Sequence, residues 1–578
     1  MITNVFFKKN LSGLYKFSLI LAIILLITLL GFGFPNDYKL FVNIFFILIL
    51  AIGLLKTILK FFYTADKFIF RVFIFDVLSV LFIGYCVYIQ LADYSIYFVS
   101  KYLQFAILLK LVREFANPNF SFNRKYITPP QLFIISFISI IILGALLLLL
   151  PKATSHPINF LDAFFTSTSA VCVTGLTVFN VSETFTVFGQ TIILMLIQIG
   201  GLGILTFAAY IAYFFKGNSS YEYQITLGNI SNNDAFSEVF GFIKKIIYIT
   251  FCIESLGAVI IFFSLDDFNI ALFDKVFISI FHSISAFCNA GFSTLPNGLM
   301  HSITINNYSF QLILIILIFL GGIGFPILVN LIKYLKYFFK KVFLRFFYKT
   351  TEEKNWIFSL NSKVNLFTSL TIFGVSTLII YFEEFYFTLN EHTGFGKFVS
   401  AAFVSMTTRT AGFNTINFSE LQFSTIILIL LLMWIGASPT STGGGIKTST
   451  FAIAILNFIN IARGKNSIEI FKRKINESVV QKAFATITLS FLVIGLGVFL
   501  ISKFDSNLPL IDIAFEVFSA YSTVGLSLDT TVLLSEPSKI VIIIIMFIGR
   551  VSMITILTAF FKKNISSRYS YPSGDILI

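Results

Sequence analysis

The run SAVCVTGLTVFN, Ser169 to Asn180, is a patch of small and hydroxylated residues between two hydrophobic segments, each long enough to cross a bilayer. The frame around Gly175 recurs three times. Around it the chain reads STSAVCVTGLT, around Gly291 HSISAFCNAGFS, around Gly412 VSMTTRTAGFN and around Gly525 VFSAYSTVGLS. These glycines lie 116, 121 and 113 residues apart. Six residues before each stands Ser169, Ser285, Met406 or Ser519, and immediately after each stands Leu176, Phe292, Phe413 or Leu526. A second landmark follows: IGGLG from Ile199, LGGIG from Leu320, IGASP from Ile435 and IGRVS from Ile548. Its glycines, Gly200, Gly321, Gly436 and Gly549, fall 25, 30, 24 and 24 residues after the loop glycines. Two registers that agree four times establish an internal fourfold repeat.

Each repeat has one anatomy. A long apolar helix comes first, at 131–150, 242–264, 364–382 and 483–501. A segment of about ten residues then leads into the glycine loop; it would rise about 15 Å, half the hydrocarbon thickness, so it can enter but not cross. A second long helix follows, expected at 185–214, 309–332, 423–451 or beyond, and 539–561.

The totals agree with a membrane protein. Of 578 residues, 57% are hydrophobic and 12% charged, and the mean hydropathy is +0.90. A soluble chain of this length carries far more charge. The net charge of +13 sits in clusters after every second crossing, from Lys8, Lys9 and Lys16 to Lys562, Lys563 and Arg568, whereas Asp93, Asp266, Asp267, Glu383 and Glu384 lie in the alternate loops. That is the positive-inside pattern, so the basic balance is topology and no nucleic-acid partner is implied. It predicts an all-α polytopic membrane protein with twelve crossings and both termini cytoplasmic, the short segments being re-entrant. Cys86, Cys172, Cys252 and Cys288 lack metal-ligand spacing, and the four histidines are scattered; no catalytic cluster and no cofactor of the chain itself is expected.

Non-helical backbone at membrane depth must be buried by protein or line a water-filled path. Four such loops about one axis can turn their carbonyls inward and replace the hydration shell of a cation. The short helices point their negative ends the same way. The residues assigned to this ion filter are Val173, Thr174 and Gly175; Asn289, Ala290 and Gly291; Thr410, Ala411 and Gly412; and Thr523, Val524 and Gly525. Hydroxyls of Thr174, Thr410, Ser522 and Thr523 can support the loops or add oxygens.

With the single-glycine loops VCVTGLT, FCNAGFS, TRTAGFN and YSTVGLS, residues 130 to 563 resemble the Trk/Ktr/HKT superfamily of potassium uptake proteins, nearest its TrkH/KtrB membrane subunits. The resemblance implies four M1–P-loop–M2 units around a pseudo-fourfold pore, and glycine in all four loops implies preference for K⁺, the monovalent ion carried. It also implies a homodimer and a separate cytoplasmic nucleotide-binding regulatory subunit. The third unit departs after its loop, reading MWIGASPTSTGGGIKTST from Met433. Proline and consecutive glycines unravel a helix interior. The resemblance makes this an intramembrane gating loop below the filter: Ser438, Pro439, Thr440, Ser441, Thr442, Gly443, Gly444 and Gly445, continuing to Ile446 with Lys447 at its edge. Arg550 takes the place of Gly201, Gly322 and Ala437 in the sister units. A mid-helix guanidinium must face protein or water, and it is expected to hold the loop by donating to its carbonyls. Arg409, inside the third loop, is expected to point behind the filter.

Residues 1–128 form an N-terminal four-helix extension with apolar segments at about 17–34, 39–55, 68–91 and 95–112. Asp76, Lys101, Lys110 and Arg113 lack the regular spacing of a voltage sensor; scaffold or dimer contact is the expectation, a sensor vestige the other reading. The pore repeats are expected at 129–217, 240–335, 362–462 and 480–563, with a cytoplasmic tail at 564–578. Expected function is K⁺ uptake across the cytoplasmic (inner) membrane. The alternatives are a non-selective or Na⁺-conducting transporter of the same architecture, or a secondary transporter. A secondary transporter predicts inverted halves, a four-repeat voltage-gated channel needs a sensor per unit, and a membrane enzyme needs a polar cluster. No Walker A or dinucleotide motif is present.

Overall fold

The computed structural model describes residues 129–203, 239–348 (without 267 and 269) and 359–561 (without 466), and helical stretches between residues 18 and 110. Those N-terminal stretches bury Leu19, Phe46 and Ile107 in a small core of their own. Asp76, Lys101, Arg113, the segment from 204 to 238 and the tail from 562 lie outside the described residues.

From residue 129 one order of elements recurs. The first unit comprises α1 (Pro129–Leu148), α2 (Phe160–Cys172) and α3 (Val187–Leu202). The second comprises α4 (Val239–Ser264), α5 (Leu272–Phe287), α6 (Tyr308–Gly322) and α7 (Phe325–Tyr348). In the third are α8 (Leu360–Glu383), α9 (Phe395–Thr407), α10 (Phe423–Trp434) and α11 (Thr448–Ala462). The fourth holds α12 (Glu477–Phe504), α13 (Leu510–Ser522), α14 (Glu536–Val551) and α15 (Met553–Phe560). A two-stranded antiparallel hairpin, β1 (Glu469–Ile470) and β2 (Arg473–Lys474), joins α11 to α12. Three described helices, at Lys244–Ser264, Leu360–Glu383 and Glu477–Phe504, are long and apolar enough to cross a membrane. Their outward faces carry large exposed apolar side chains such as Leu256, Phe367 and Phe499, which in a membrane protein meet lipid.

Two expectations need correction. The short helices are longer than ten residues: 13 in α2, 16 in α5, 13 in α9 and 13 in α13. Thirteen residues rise about 20 Å, still less than the hydrocarbon core. The second helices of units two and four, read as continuous, are broken like that of unit three. α6 and α7 meet at a bend of 109°, and α14 and α15 at 87°. The breaks lie three residues past the landmark glycine, at Gly324 (φ +94°) and Ser552 (φ +74°), and α3 ends at the matching Gly203 (φ +79°). A positive φ cannot continue a right-handed helix. Glycine takes it freely, whereas serine takes it under strain.

The landmark glycines are there for packing. A Cβ on Gly200 would strike the carbonyl oxygen of Val171, on Gly321 that of Phe287, and on Gly549 that of Tyr521. Each of these carbonyls belongs to the residue four places before its loop glycine, so the second helix of the unit rests on the end of its short helix. In unit three, Gly436 meets Gly444 of the broken segment instead.

Candidate functional site: a ring of four glycine loops over a broken helix

Each short helix ends by turning the chain left-handed two residues before its glycine, at Val173 (φ +57°), Asn289 (φ +59°), Thr410 (φ +73°) and Thr523 (φ +50°). The glycines are also at positive φ: Gly175 +98°, Gly291 +71°, Gly412 +76° and Gly525 +93°. Hydroxyls on the short helices tie the loops down. Ser169 Oγ accepts from Gly175 N at 3.0 Å, and Ser519 Oγ accepts from Gly525 N at 3.0 Å. Ser285 Oγ donates to Phe292 O at 2.8 Å. Where the third loop has Met406 in that frame, Thr407 one residue later donates to Phe413 O at 2.7 Å.

The loops close on one another in sequence. A Cβ on Gly175 would strike the carbonyl oxygen of Ala290, and one on Gly291 that of Ala411. One on Gly412 would strike the oxygen of Val524, and one on Gly525 that of Thr174. The order runs one, two, three, four and back to one. Thr174, Ala290, Ala411 and Val524 are all fully buried, and their four carbonyl oxygens lie against the four glycines. Asn289 Nδ2 donates across loops to Thr410 Oγ1 at 3.1 Å, a contact the sequence did not disclose. Arg409, 6% exposed, turns away to α8, donating to the Ser369 carbonyl at 3.0 Å and hydroxyl at 3.1 Å.

The segment between α10 and α11 packs under this ring and touches units two, three and four. Ser438 N donates to Gly322 O at 3.0 Å, and Thr440 O accepts from Phe325 N at 3.3 Å; Pro439 abuts Gly324. Gly444 N donates to Thr523 Oγ1 at 2.9 Å. A side chain at Gly443 would overlap Thr410, and one at Gly445 would press closely on Ser522. Thr442 Oγ1 lies 3.5 Å from Phe287 O, and Ser441 Oγ is buried without a hydrogen-bond partner. Ile446 N donates to Trp434 O at 3.3 Å.

Two cations converge on this segment. Arg550 donates through its two terminal nitrogens to Thr442 O and to Gly200 O, joining the segment to the end of α3. Lys447 Nζ, placed by the sequence only at the segment's edge, folds back onto Gly443 O at 2.7 Å and Gly444 O at 3.3 Å. Three successive carbonyls below the ring thus face positive charge. A second polar group was missed entirely: Glu254 on α4, 4% exposed, takes a hydrogen bond from Gln198 Nε2, 3.1 Å from each carboxylate oxygen. Among the described residues no His, Cys, Asp and Glu group could hold a metal ion.

Apolar helices with lipid-type outer faces, gathered round four buried polar loops, define an integral membrane protein of transporter build. The TrkH family, described as cation transport protein, matches residues 98–570, and the chain belongs to it. It is 36% identical over 451 residues to the Ktr system potassium uptake protein B of Bacillus subtilis, covering 78% of this chain and 96% of that one. It is 34% identical over 469 residues to the potassium/sodium uptake protein NtpJ of Enterococcus hirae, covering 79% and 98%. The crystal structure of the potassium transporter TrkH from Vibrio parahaemolyticus shares the fold, with a TM-score of 0.59 at 18% identity over 85% of this chain and 97% of that one.

Proposed function

We propose that the chain takes up K⁺ across the cytoplasmic membrane through one central pore, with the glycine ring as ion filter and the segment 438–446 as gate. The carrying observation is the closed order of contacts from Gly175 through Gly291 and Gly412 to Gly525. Along an extended strand successive carbonyls alternate in direction. A left-handed residue at every second position reverses that alternation, which turns neighbouring carbonyls to one side. The positive φ values at both loop positions support such a row of oxygens, suited to replace water around a monovalent cation. The names of the relatives favour K⁺ as that cation. On this reading the chain crosses the membrane twelve times with both termini in the cytoplasm. It works as a homodimer with one pore per chain, and a nucleotide-binding subunit docks on its basic cytoplasmic loops.

The relative named for potassium and sodium uptake gives a second reading, a pore of the same build that also passes Na⁺. Uptake of K⁺, ⁸⁶Rb⁺ and Na⁺ in a K⁺-auxotrophic cell separates the two. The unaltered chain should restore growth on low K⁺. Gly175→Ser and Gly291→Ser should each lower K⁺ uptake at least about tenfold, from left-handed strain of ~1–3 kcal/mol added to overlap with the neighbouring loop. Wild-type K⁺ uptake in both variants would refute the filter assignment, and Na⁺ uptake matching K⁺ uptake in the unaltered chain would favour the second reading.

A further inference from the structure

Two titratable side chains stand at one position of the repeat, on opposite loops. Nine residues before the loop glycine, α5 carries His282 and α13 carries Glu516, both 0% exposed. Two residues after the glycine, loop two carries Ser293 and loop four Ser527. In both units the buried group reaches that serine. His282 Nε2 lies 2.9 Å from Ser293 Oγ, while His282 Nδ1 lies 2.9 Å from Ile278 O. A carbonyl only accepts, so Nδ1 is the donor and Nε2 of the neutral ring accepts from the serine. Glu516 Oε1 accepts from Ser527 Oγ, and its Oε2 accepts from Thr531 Oγ1 at 2.9 Å. Both serines also hold the backbone beyond them. Ser293 Oγ accepts from Leu295 N at 3.0 Å, and Ser527 Oγ accepts from Thr530 N at 3.2 Å. Units one and three have Thr166 and Phe403 at the first position, and Thr166 bonds within its own helix, to Asp162 O at 2.9 Å.

Because the contact order of the ring is one, two, three, four, these two braced loops face each other across it. We infer that His282 and Glu516 are positioning residues that fix the outlet of loops two and four, and thereby the spacing of the ring that discriminates between ions. The inference rests on the filter reading and deepens it. Buried polar groups hold geometry when every member is satisfied, and here the acceptor sits in a rigid helix while the donor sits on the loop. The His282 ring also packs on Phe413, which follows Gly412 in loop three, at 6.3 Å between centroids, so the brace on loop two steadies the next loop as well. Across the ring Thr531, at the end of the same outlet, is locked to the same carboxylate as Ser527. Ion discrimination by a ring of carbonyls depends on spacing finer than a bond length, so a loop released behind should pass Na⁺ more readily without losing its carbonyls.

The test is competitive uptake of K⁺ and Na⁺ by the full chain in a K⁺-auxotrophic cell, with the amount of each variant in the membrane measured in parallel. Ser527→Ala and Glu516→Leu should raise the ratio of Na⁺ to K⁺ uptake by up to about tenfold, the worth of one buried hydrogen bond. Ser293→Ala should raise it in the same direction. Glu516→Gln, which keeps an acceptor for the Ser527 hydroxyl, should restore the wild-type ratio; a merely space-filling role would be served as well by leucine as by glutamine. Should Glu516→Leu fail to reach the membrane, Ser527→Ala decides alone, since it removes one oxygen. Ratios unchanged in Ser527→Ala and Ser293→Ala, in a chain whose wild type takes up K⁺, would overturn this inference alone. A wild type that carries no K⁺ would overturn the transport reading and this inference together.

Discussion

Arg550 gives the most demanding test of the proposed gate. Its guanidinium spans two elements, donating to Thr442 O in the broken segment and to Gly200 O at the end of α3. Hydrogen bonds from a charged donor contribute about 1.5–3 kcal/mol each. The Thr442 carbonyl will find water once freed, so the net loss to the closed arrangement in Arg550→Gln is set at about 2 kcal/mol, an increase of about 30-fold in the open population. Removing a positive charge beneath the proposed filter acts in the same direction, because it lowers the barrier to a cation. Arg550→Lys separates the two effects: it keeps the charge but replaces the planar fork with a single ammonium, and should fall between wild type and Arg550→Gln. The assay is ⁸⁶Rb⁺ flux into proteoliposomes containing this chain alone, normalised to reconstituted protein. Flux in Arg550→Gln within about twofold of wild type would refute both the tether and the barrier, since either alone should exceed that.

The remaining predictions concern stability. Lys539 on α14 meets Asp162 on α2 at 2.8 Å with side chains 13% and 10% exposed, joining units four and one. Lys539→Met leaves a buried carboxylate and should cost about 3 kcal/mol, read as a lower melting temperature in detergent; adding Asp162→Asn should recover most of it, and a double variant no better than the single would exclude the pair as the cause. His392, in the connection before α9, is held below the ordinary imidazole value by burial, with Glu391 opposing and Lys397 adding to the effect. Its neutral form is favoured in the folded chain, so the stability it contributes is complete above about pH 6.5 and declines as pH falls through the folded value. Melting temperature against pH should therefore slope downward below about pH 6.5, and His392→Gln should flatten that slope.

What the sequence disclosed was whatever left a periodic trace. The loop glycines and the landmark glycines could be aligned because each is forced by contact with a backbone oxygen, of the neighbouring loop in one case and of the unit's own short helix, or in unit three of Gly444, in the other. Oxygens are present whatever the side chain, so such a constraint survives divergence everywhere else. The break at Ser552 (φ +74°) left no trace, since serine in IGRVS looks compatible with a helix, and Gly324 reads as a packing residue until its φ is known. The third loop hid its tether for a related reason: the hydroxyl moved from the expected position, where Met406 stands, to Thr407, and trades a backbone N–H partner for a carbonyl. Contacts between units, such as Asn289 with Thr410 or Gln198 with Glu254, depend on rotations about the axis that no single repeat encodes.

The asymmetry of unit three bears on how the proposed gate can move without dismantling the proposed filter. In units one, two and four the landmark glycine seats the second helix on the short helix, so displacing that helix would pull on the loop above it. In unit three Gly436 instead meets Gly444, inside the broken segment itself. The segment holds to the ring through the bond from Gly444 N to Thr523 Oγ1 and through contacts of Gly443 and Gly445, which have no side chains to interlock. Its other bonds run sideways and below, from Arg550 to Thr442 O and from Ser438 N to Gly322 O, while Lys447 folds onto Gly443 O within the same stretch of chain. On the proposed reading, opening therefore exchanges these lateral hydrogen bonds for water while the four glycines keep their mutual contacts. Glycine in three consecutive places is what the proposed gate requires: a surface that packs close against the ring and carries nothing that must be extracted when it leaves.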